Sequence, residues 1–239
     1  MCSSDLVTME EKQSCHHAQC VRLVPIFNHL EDAEMDMIAA SARVLHLQKG
    51  EILFHAGERD DTLYIVNSGK VRMYRLSDSG KEQLVRILHP GDFTGEYTIF
   101  QPGSTHENYA EALANTSFCQ INQTDVQRYL VEYPEISLKI LSEVTRRLEN
   151  SERQTAQVAI ENVESRLIAY LLELVETESN AQPIVTLPMS KKDLASYLGT
   201  TPESISRKFT SLEQHGLIEQ LPKKRIKILD VDELLFHAE

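Results

Sequence analysis

Between Val21 and about Asn122, short β-like runs rich in apolar residues are separated by glycines and other turn residues. Runs such as LYIV and VRMY recur at roughly eight to twelve residues with turn signals between them, a spacing typical of all-β domains. Seven glycines fall between Gly50 and Gly103, which suits a structure with many tight corners. The pattern predicts a β-sandwich or a closed β-barrel.

From Thr124 onward the hydrophobic period becomes that of helices. The segment TDVQRYLVEY predicts a short helix that ends before Pro134. A long stretch follows from Glu135 to about Ile160 without glycine or proline, and a further helix is predicted over Glu164–Val175. The polar sequence ETESNAQP then predicts a linker.

Within the long helix, one stripe of residues recurs at alternating spacings of three and four, the heptad pattern of two helices packed side by side. The stripe consists of Leu141, Val144, Leu148, Ser151, Thr155 and Val158. It predicts a homodimer, and because Ser151 and Thr155 add little apolar surface, we expect that dimer to be weak and tunable. The alternative is a helix packed on its own domain.

Two short helices joined by a tight turn are predicted between Met189 and Glu219. Leu194 and Ala195 are expected to face the partner helix, and Gly199 lies in the turn. Thr201 can cap a second helix that begins at Pro202. This arrangement predicts a DNA-binding helix-turn-helix.

The second helix has an inner and an outer face. Its inner face carries Ile205, Phe209 and Leu212 at helical spacing. Its outer face carries the residues that we predict to read base edges, namely Glu203, Ser206 and Arg207. Arginine can donate two hydrogen bonds to guanine, glutamate can accept from the cytosine amino group, and serine can serve either partner or contact a thymine methyl group.

The segment GLIEQLPKKRIKIL alternates like a hairpin with Pro222–Arg225 at its tip, which predicts a wing beside the helix-turn-helix. We predict a set of contacts from the helix-turn-helix and the wing to the DNA backbone. These residues are Lys191, Thr201, Ser204, Lys208, Lys223, Lys224 and Arg225.

The formal charge of the chain is −12, which is unusual for a DNA-binding protein. Residues 190–229 nevertheless contain eight Lys and Arg against four Asp and Glu. Because charges are screened over about 10 Å at ordinary salt, the local patch decides binding. The chain has no run of eighteen apolar residues and no apolar N-terminal segment, so we expect a cytoplasmic protein without a membrane partner. It also lacks the common catalytic motifs, which argues against an enzyme.

The chain resembles the Crp/Fnr family of bacterial transcription regulators over nearly its whole length, and most closely the Fnr-like proteins of low-GC Gram-positive bacteria. The resemblance lies in KGEILFHAGERDDTLYIVNSGKVRMY, in HPGDFTGEYTIF and in the E-x-x-S-R of TTPESISRKF. It implies an α+β fold with a cyclic-nucleotide-binding-like jelly-roll barrel, a long dimerisation helix and a C-terminal winged helix-turn-helix. It also implies TTGAT-like half-sites in a palindrome and RNA polymerase as a partner.

Four segments are expected on this basis. They are an N-terminal arm with three of the four cysteines (1–20), the sensor barrel (21–123), a helical segment with the dimerisation helix (124–160) and the DNA-binding domain (161–239).

The sensor barrel does not favour cyclic AMP as its signal. The nucleotide-binding relatives hold the phosphate with an Arg-Ser pair that follows a Gly-Glu. Here Gly95 and Glu96 are present, but the matching positions are His106 and Glu107. An acid at this position repels a phosphate.

The four cysteines Cys2, Cys15, Cys20 and Cys119 allow three kinds of sensor. An iron–sulfur cluster needs four thiolates, although C-x12-C-x4-C is looser than the Fnr cluster. A thiol–disulfide switch would join Cys15 or Cys20 to Cys119, since cytosolic disulfides are usually redox-sensing. Zinc could take mixed ligands from the candidates Cys2, Cys15, His16, Cys20 and Cys119.

The thiol switch without a cofactor is the leading hypothesis. His16 and His17, when protonated, would favour the thiolate of Cys15. The remaining alternative is a constitutive regulator with a ligand-free barrel, in which Cys119 is only a small buried residue.

Overall fold

The computed structural model describes residues 21–22, 24–101, 103–177 and 183–237, with the side chains of 157–160 and 176–177 outside that description. The chain forms two compact units. The first comprises residues up to Leu76 together with Val85–Arg146, and the second comprises Ser77–Leu84 together with residues from Arg147 onward. The predicted arm, residues 1–20, lies outside the described residues.

Eight short strands form the sandwich that the β-like runs predict. They are β1 (Arg43–Leu47), β2 (Ile52–Phe54), β3 (Thr62–Ser68), β4 (Val71–Leu76), β5 (Glu82–Leu88), β6 (Phe93–Thr94), β7 (Tyr109–Ala112) and β8 (Thr116–Asn122). One sheet has the order β1-β8-β3-β6 and the other has the order β2-β7-β4-β5. The strand pairs β1–β8, β2–β7, β3–β6, β3–β8 and β4–β7 are antiparallel. Neighbours that are distant in sequence, such as β1 and β8, are typical of a jelly roll.

The sheet that contains β8 is covered on both faces. Phe118 and Val66 belong to the cluster between the two sheets. Cys119 and Ile65, the neighbours of Phe118 and Val66 along their strands, belong to a second cluster, the outer cluster. It also contains residues outside the sandwich, among them Val21 and Ile140. Because successive side chains of a strand point to opposite faces, one strand serves both cores.

Four helices begin in the first unit. They are α1 (Asp32–Ser41), α2 (Glu96–Phe100), α3 (Gln123–Glu132) and α4 (Pro134–Ile160). The sequence predicted α3 and α4 within one or two residues, but it did not predict α1. In α1, Met35 and Ile38 are buried while Met37 is exposed, so the apolar residues do not form one clean face. Its N-terminus is instead fixed by a reciprocal capping box between Glu31 and Glu34.

Gly95 connects β6 to α2 and cannot be replaced without strain. Its φ is +92°, and a Cβ would lie 2.1 Å from the carbonyl oxygen of Thr62. Only glycine combines this left-handed conformation with such a close approach to a neighbouring backbone.

The second unit contains the predicted helix-turn-helix and wing. After α4 it comprises α5 (Val163–Thr177), β9 (Ile184–Thr186), α6 (Lys191–Tyr197), α7 (Pro202–Gln214), β10 (Ile218–Leu221), β11 (Arg225–Ile228) and α8 (Val231–Phe236). The sheet order is β10-β11-β9. The strand β9, which the sequence did not predict, adds a third strand to the wing hairpin. Within the described residues, no helix combines the length and apolar character that a membrane span requires.

Candidate nucleic-acid interface and sensor sites

Both helices of the helix-turn-helix begin at side-chain caps. The Ser190 hydroxyl accepts from the backbone N–H of Asp193 at 3.1 Å, and the Asp193 carboxylate accepts from the N–H of Ser190. The Thr201 hydroxyl accepts from the N–H of Ser204 at 3.2 Å, and Pro202 occupies the first turn. The predicted start of the second helix is therefore confirmed.

The inner faces of the two helices are anchored in a common core. Leu194 and Ala195 on α6 are fully buried, as are Ile205, Phe209 and Leu212 on α7. The turn between the helices contains Gly199 with a φ of 67°. Since α7 is held on one side by three buried residues, its opposite face is presented to solvent.

The three predicted base-reading residues lie on this solvent face. Glu203, Ser206 and Arg207 are all exposed. The pKa of Glu203 is lowered, first because its own backbone N–H and the Thr201 hydroxyl hydrogen-bond to the carboxylate, and further because Arg207 lies nearby. The face therefore offers an ionised acceptor beside a permanent donor, the two kinds of group that distinguish base pairs in a major groove.

The predicted backbone-contacting residues fall into two groups. Lys223, Lys224 and Arg225 are exposed at the wing, whereas the ammonium groups of Lys191 and Lys208 are held by other side chains. Lys191 Nζ donates to Gln220 Oε1 at 2.6 Å and lies 4.6 Å from the centre of the Phe209 ring. Burial lowers the pKa of Lys191.

Lys208 Nζ donates to Glu164 Oε2 at 2.7 Å. Thr201 is the N-cap of α7 and Ser204 lies in its first turn. Both are therefore at the N-terminal end of the helix, where the helix dipole favours a phosphate.

The described residues of the predicted dimer stripe on α4, from Leu141 to Thr155, are exposed. Leu141, Val144 and Leu148 have relative exposures of 62%, 40% and 57%. Leu138, which the sequence analysis missed, extends the stripe by one turn and is 67% exposed. Ser151 and Thr155 are also exposed, and the side chain of Val158 lies outside the described residues. Three large exposed apolar side chains within two helical turns are uncommon on a face that meets only water.

Cys119 is fully buried in the outer cluster of the sandwich. In the strand register it lies between Val44 on β1 and Ile65 on β3. Its sulfur is disulfide-bonded, and the partner lies outside the described residues. Val21, the first described residue, belongs to the same buried cluster.

The other predicted sensor residues, Cys2, Cys15, His16, His17 and Cys20, lie outside the described residues. Within the part of the chain that is described, no group of three or more His, Cys, Asp and Glu is arranged to hold a metal ion. The sequence-based hypotheses of a cluster and of a zinc site therefore stay open.

Comparison with known proteins identifies the two halves of this architecture. Residues 44–133 match the cyclic nucleotide-binding domain family, and residues 165–235 match the Crp-like helix-turn-helix domain family. The chain is 34% identical over 215 residues to the probable transcriptional regulator flp of Lacticaseibacillus casei, covering 90% of this chain and 96% of that protein.

A second relative is the nitrogen fixation regulation protein FixK of Bradyrhizobium diazoefficiens, 30% identical over 216 residues, which are 89% of this chain and 90% of that protein. The chain belongs to the Crp/Fnr family of transcription regulators. The structure of FixK2 from Bradyrhizobium japonicum matches with a TM-score of 0.70 and 25% identity, covering 81% of this chain and 95% of that one. The predicted fold class and the assignment as a DNA-binding regulator are confirmed.

In this Crp/Fnr regulator, Glu96 and Glu107 are both engaged in ion pairs. Glu96 accepts from Arg86 at 3.0 Å, and Glu107 pairs with Arg75. His106 is buried and stacks on Phe54 with ring centres 3.7 Å apart. At the two positions that match the phosphate-binding pair of the relatives, His106 thus supplies a buried imidazole and Glu107 a carboxylate in an ion pair.

Sequence reasoning missed two residues of the helix-turn-helix surroundings. Glu164 lies in the first turn of α5 and binds Lys208, and Gln220 on β10 accepts from Lys191. No local signal marks either residue, because both partners are distant in sequence. The heptad pattern does not include Leu138, because the alternation of three and four places its preceding position at Ser137.

Proposed function

We propose that this Crp/Fnr regulator binds a palindrome of TTGAT-like half-sites as a homodimer and that a thiol–disulfide change at Cys119 switches its binding. The observation that carries the DNA-reading part is the exposed trio Glu203, Ser206 and Arg207 on a helix whose opposite face is fully buried. The half-site follows from the resemblance of E-x-x-S-R to the Fnr branch, and the chemistry of the three side chains agrees with it.

The dimer is supported by the exposed stripe on α4. Crp/Fnr regulators work as dimers, and burial of Leu138, Leu141 and Leu148 against a second copy would remove their apolar surface from water. Two recognition helices related by a two-fold axis read two half-sites about one helical turn apart, roughly 34 Å. The family resemblance implies RNA polymerase as a partner, and the DNA-bound dimer would be the form that contacts it.

The redox switch is supported by the disulfide at Cys119 and by its location. The first described residue after the arm packs in the same cluster as Cys119, so a bond from Cys15 or Cys20 to Cys119 would tie the arm to the barrel. In the reaction, two thiols lose two protons and two electrons and a sulfur–sulfur bond forms. An oxidant such as hydrogen peroxide takes up the electrons and protons and leaves as two waters.

A binding experiment with three DNA duplexes tests the proposal. The first carries two TTGAT half-sites in a palindrome, the second has one half-site scrambled, and the third has both scrambled. We expect affinity to fall in this order by fluorescence anisotropy at fixed salt, and to differ between reduced and peroxide-treated protein. Equal affinity for all three duplexes would refute base reading, and equal affinity in both redox states would refute the switch.

Anaerobic purification separates the switch from the cofactor alternatives. A colourless, metal-free protein that loses two thiols in air supports the disulfide switch. A brown protein with visible absorbance would instead indicate an iron–sulfur cluster, and stoichiometric zinc would indicate a metal site.

A further inference from the structure

An ion pair joins the recognition helix to the helix that precedes the helix-turn-helix. Nζ of Lys208 on α7 lies 2.7 Å from Oε2 of Glu164 on α5. The two side chains are only 37% and 20% exposed. Lys208 directly follows Arg207, the predicted guanine reader, so this contact is made one residue away from the base-reading surface.

The start of α5, from which the Glu164 side chain projects, is fixed by a helix cap. The side chain of Asn162 caps α5, and its Oδ1 accepts from the backbone N–H groups of Glu164 and Ser165 at 2.8 Å and 3.0 Å. The second oxygen of Glu164, Oε1, is buried and accepts no hydrogen bond from the described residues. Lys208 therefore compensates a largely buried charge, and its removal would leave that charge unpaired.

At the C-terminal end of α7, the Glu213 carboxylate accepts two hydrogen bonds of 2.9 Å from Gln220. Nearer the base-reading residues, the remaining constraints on α7 are mostly apolar. The helix packs against α5 and α6 through buried residues that include Ile205, Phe209 and Leu212. Apolar burial is non-directional, so it fixes the distance of a helix from its core more tightly than its rotation about its own axis. A short hydrogen-bonded ion pair is directional and restricts that rotation.

The rotation of α7 matters for base reading because an arginine side chain is long. With Cα atoms about 2.3 Å from the helix axis, a guanidinium lies about 9 Å out, and a rotation of about 10° moves it about 1.5 Å. Binding groups have to be held within about 0.5 Å of their productive geometry. A displacement of this size would break a bidentate contact to guanine.

We infer that Glu164 is a positioning residue for sequence readout, which acts through Lys208 to set the rotation of the recognition helix. Lys208 then binds Glu164 within the protein and does not contact a DNA phosphate. The inference rests on the proposed function of Arg207 and adds a specificity-determining residue that has no contact with DNA.

The test compares Glu164→Gln, Lys208→Gln, the double variant and Lys208→Arg. Each is titrated with the palindromic and the fully scrambled duplex over a range of salt concentrations, after thermal unfolding has verified that it is folded at the assay temperature. We expect Glu164→Gln to reduce the affinity ratio of the two duplexes about 5- to 20-fold, which corresponds to about 1–2 kcal/mol. Its affinity for scrambled DNA and its salt slope should stay unchanged.

The other variants separate positioning from phosphate binding. Lys208→Gln should reduce the ratio as much as Glu164→Gln, the double variant should reduce it no further, and Lys208→Arg, which keeps the ion pair, should preserve it. The double variant has no buried charge to leave unpaired, so it remains informative if a single variant does not fold.

Two results would overturn the inference. One is an unchanged ratio in Glu164→Gln. The other is tighter binding of both duplexes with a steeper salt slope, which would mean that the released Lys208 contacts phosphate and that Glu164 only competes for it. If the wild-type protein itself does not distinguish the duplexes, both the inference and the proposed base readout fail. If the wild type and Glu164→Gln distinguish them equally, only the inference fails.

Discussion

Lys223 and Lys224 occupy consecutive left-handed backbone conformations at the tip of the wing, with φ values of 62° and 59°. The carbonyl oxygen of Lys224 accepts from the N–H of Leu187 at 2.9 Å, which helps to hold the loop in this form. A left-handed conformation costs about 1–2 kcal/mol for a residue with a Cβ, whereas glycine adopts it freely and asparagine more easily than lysine. The wing thus carries two ammonium groups at a cost in stability.

The first prediction is that stability and DNA binding at the wing can be separated. Lys223→Asn with Lys224→Gly should raise the free energy of unfolding by about 1 kcal/mol, because it relieves the backbone strain. The same variant should lower the salt slope of DNA binding by about 0.9 for each phosphate that the wing no longer neutralises. Thermal or urea unfolding and anisotropy titrations over a range of salt concentrations measure the two effects.

The control for the wing is Lys223→Gln with Lys224→Gln, which removes the charges but leaves Cβ atoms in the strained conformation. It should lower the salt slope equally without a gain in stability. An unchanged slope in both variants would mean that the wing lysines do not contact DNA.

The second prediction concerns Arg207. Arg207→Ala should remove about 1–3 kcal/mol of discrimination between palindromic and scrambled DNA while salt-dependent nonspecific binding persists. The matched control is Gln214→Ala, an exposed position in the last turn of the same helix, which should leave discrimination intact. A parallel loss of affinity for both duplexes would argue that Arg207 binds phosphate and not a base.

The third prediction is that Cys119 is required for the redox response. Cys119→Ala should abolish the difference in DNA affinity between reduced and peroxide-treated protein, and thiol titration should no longer show the loss of two thiols in air. Alanine is preferable to serine here, because a hydroxyl without a partner in this fully buried apolar cluster would cost about 1–3 kcal/mol.

Cys2→Ala is the comparison for this experiment, and Cys15→Ala and Cys20→Ala identify the partner. Under the disulfide hypothesis, one of the last two variants loses the response and Cys2→Ala retains it. A redox response that survives in Cys119→Ala would exclude Cys119 as the switch.

The sequence predicted best those features that local chemistry determines. Thr201 and Pro202 specify the start of α7 by capping and by the fixed φ of proline, and the structure begins the helix at Pro202. The apolar runs LYIV and VRMY, with Gly69 between them, likewise predict the two strands at 62–68 and 71–76. The helix α1 was missed because apolar residues such as Met37 also lie on its exposed face and obscure the helical period of its buried residues.

Contacts across the fold could not be predicted in this way. The partner of Lys208 is 44 positions away in the chain, and only the packing of α5 on α7 makes them neighbours. From the sequence alone Lys208 is one more basic residue on a DNA-binding helix, so it was assigned to the DNA backbone. The same argument applies to Lys191 and Gln220, which are 29 positions apart.

The last prediction is that the stripe on α4 holds the dimer together. Leu148→Asp places a charge at the centre of an apolar interface, where an unpaired carboxylate is strongly disfavoured. We expect the variant to be a monomer by light scattering and to bind the palindrome no more tightly than the duplex with a single half-site. Asn150→Asp introduces the same side chain about 200° away around the helix and should leave the dimer intact. Because Leu148 is already 57% exposed in the single chain, the substitution should not unfold the monomer, which circular dichroism can verify. If Leu148→Asp remained dimeric, the copies would have to associate through another surface, and the apolar residues of α4 would need a different partner.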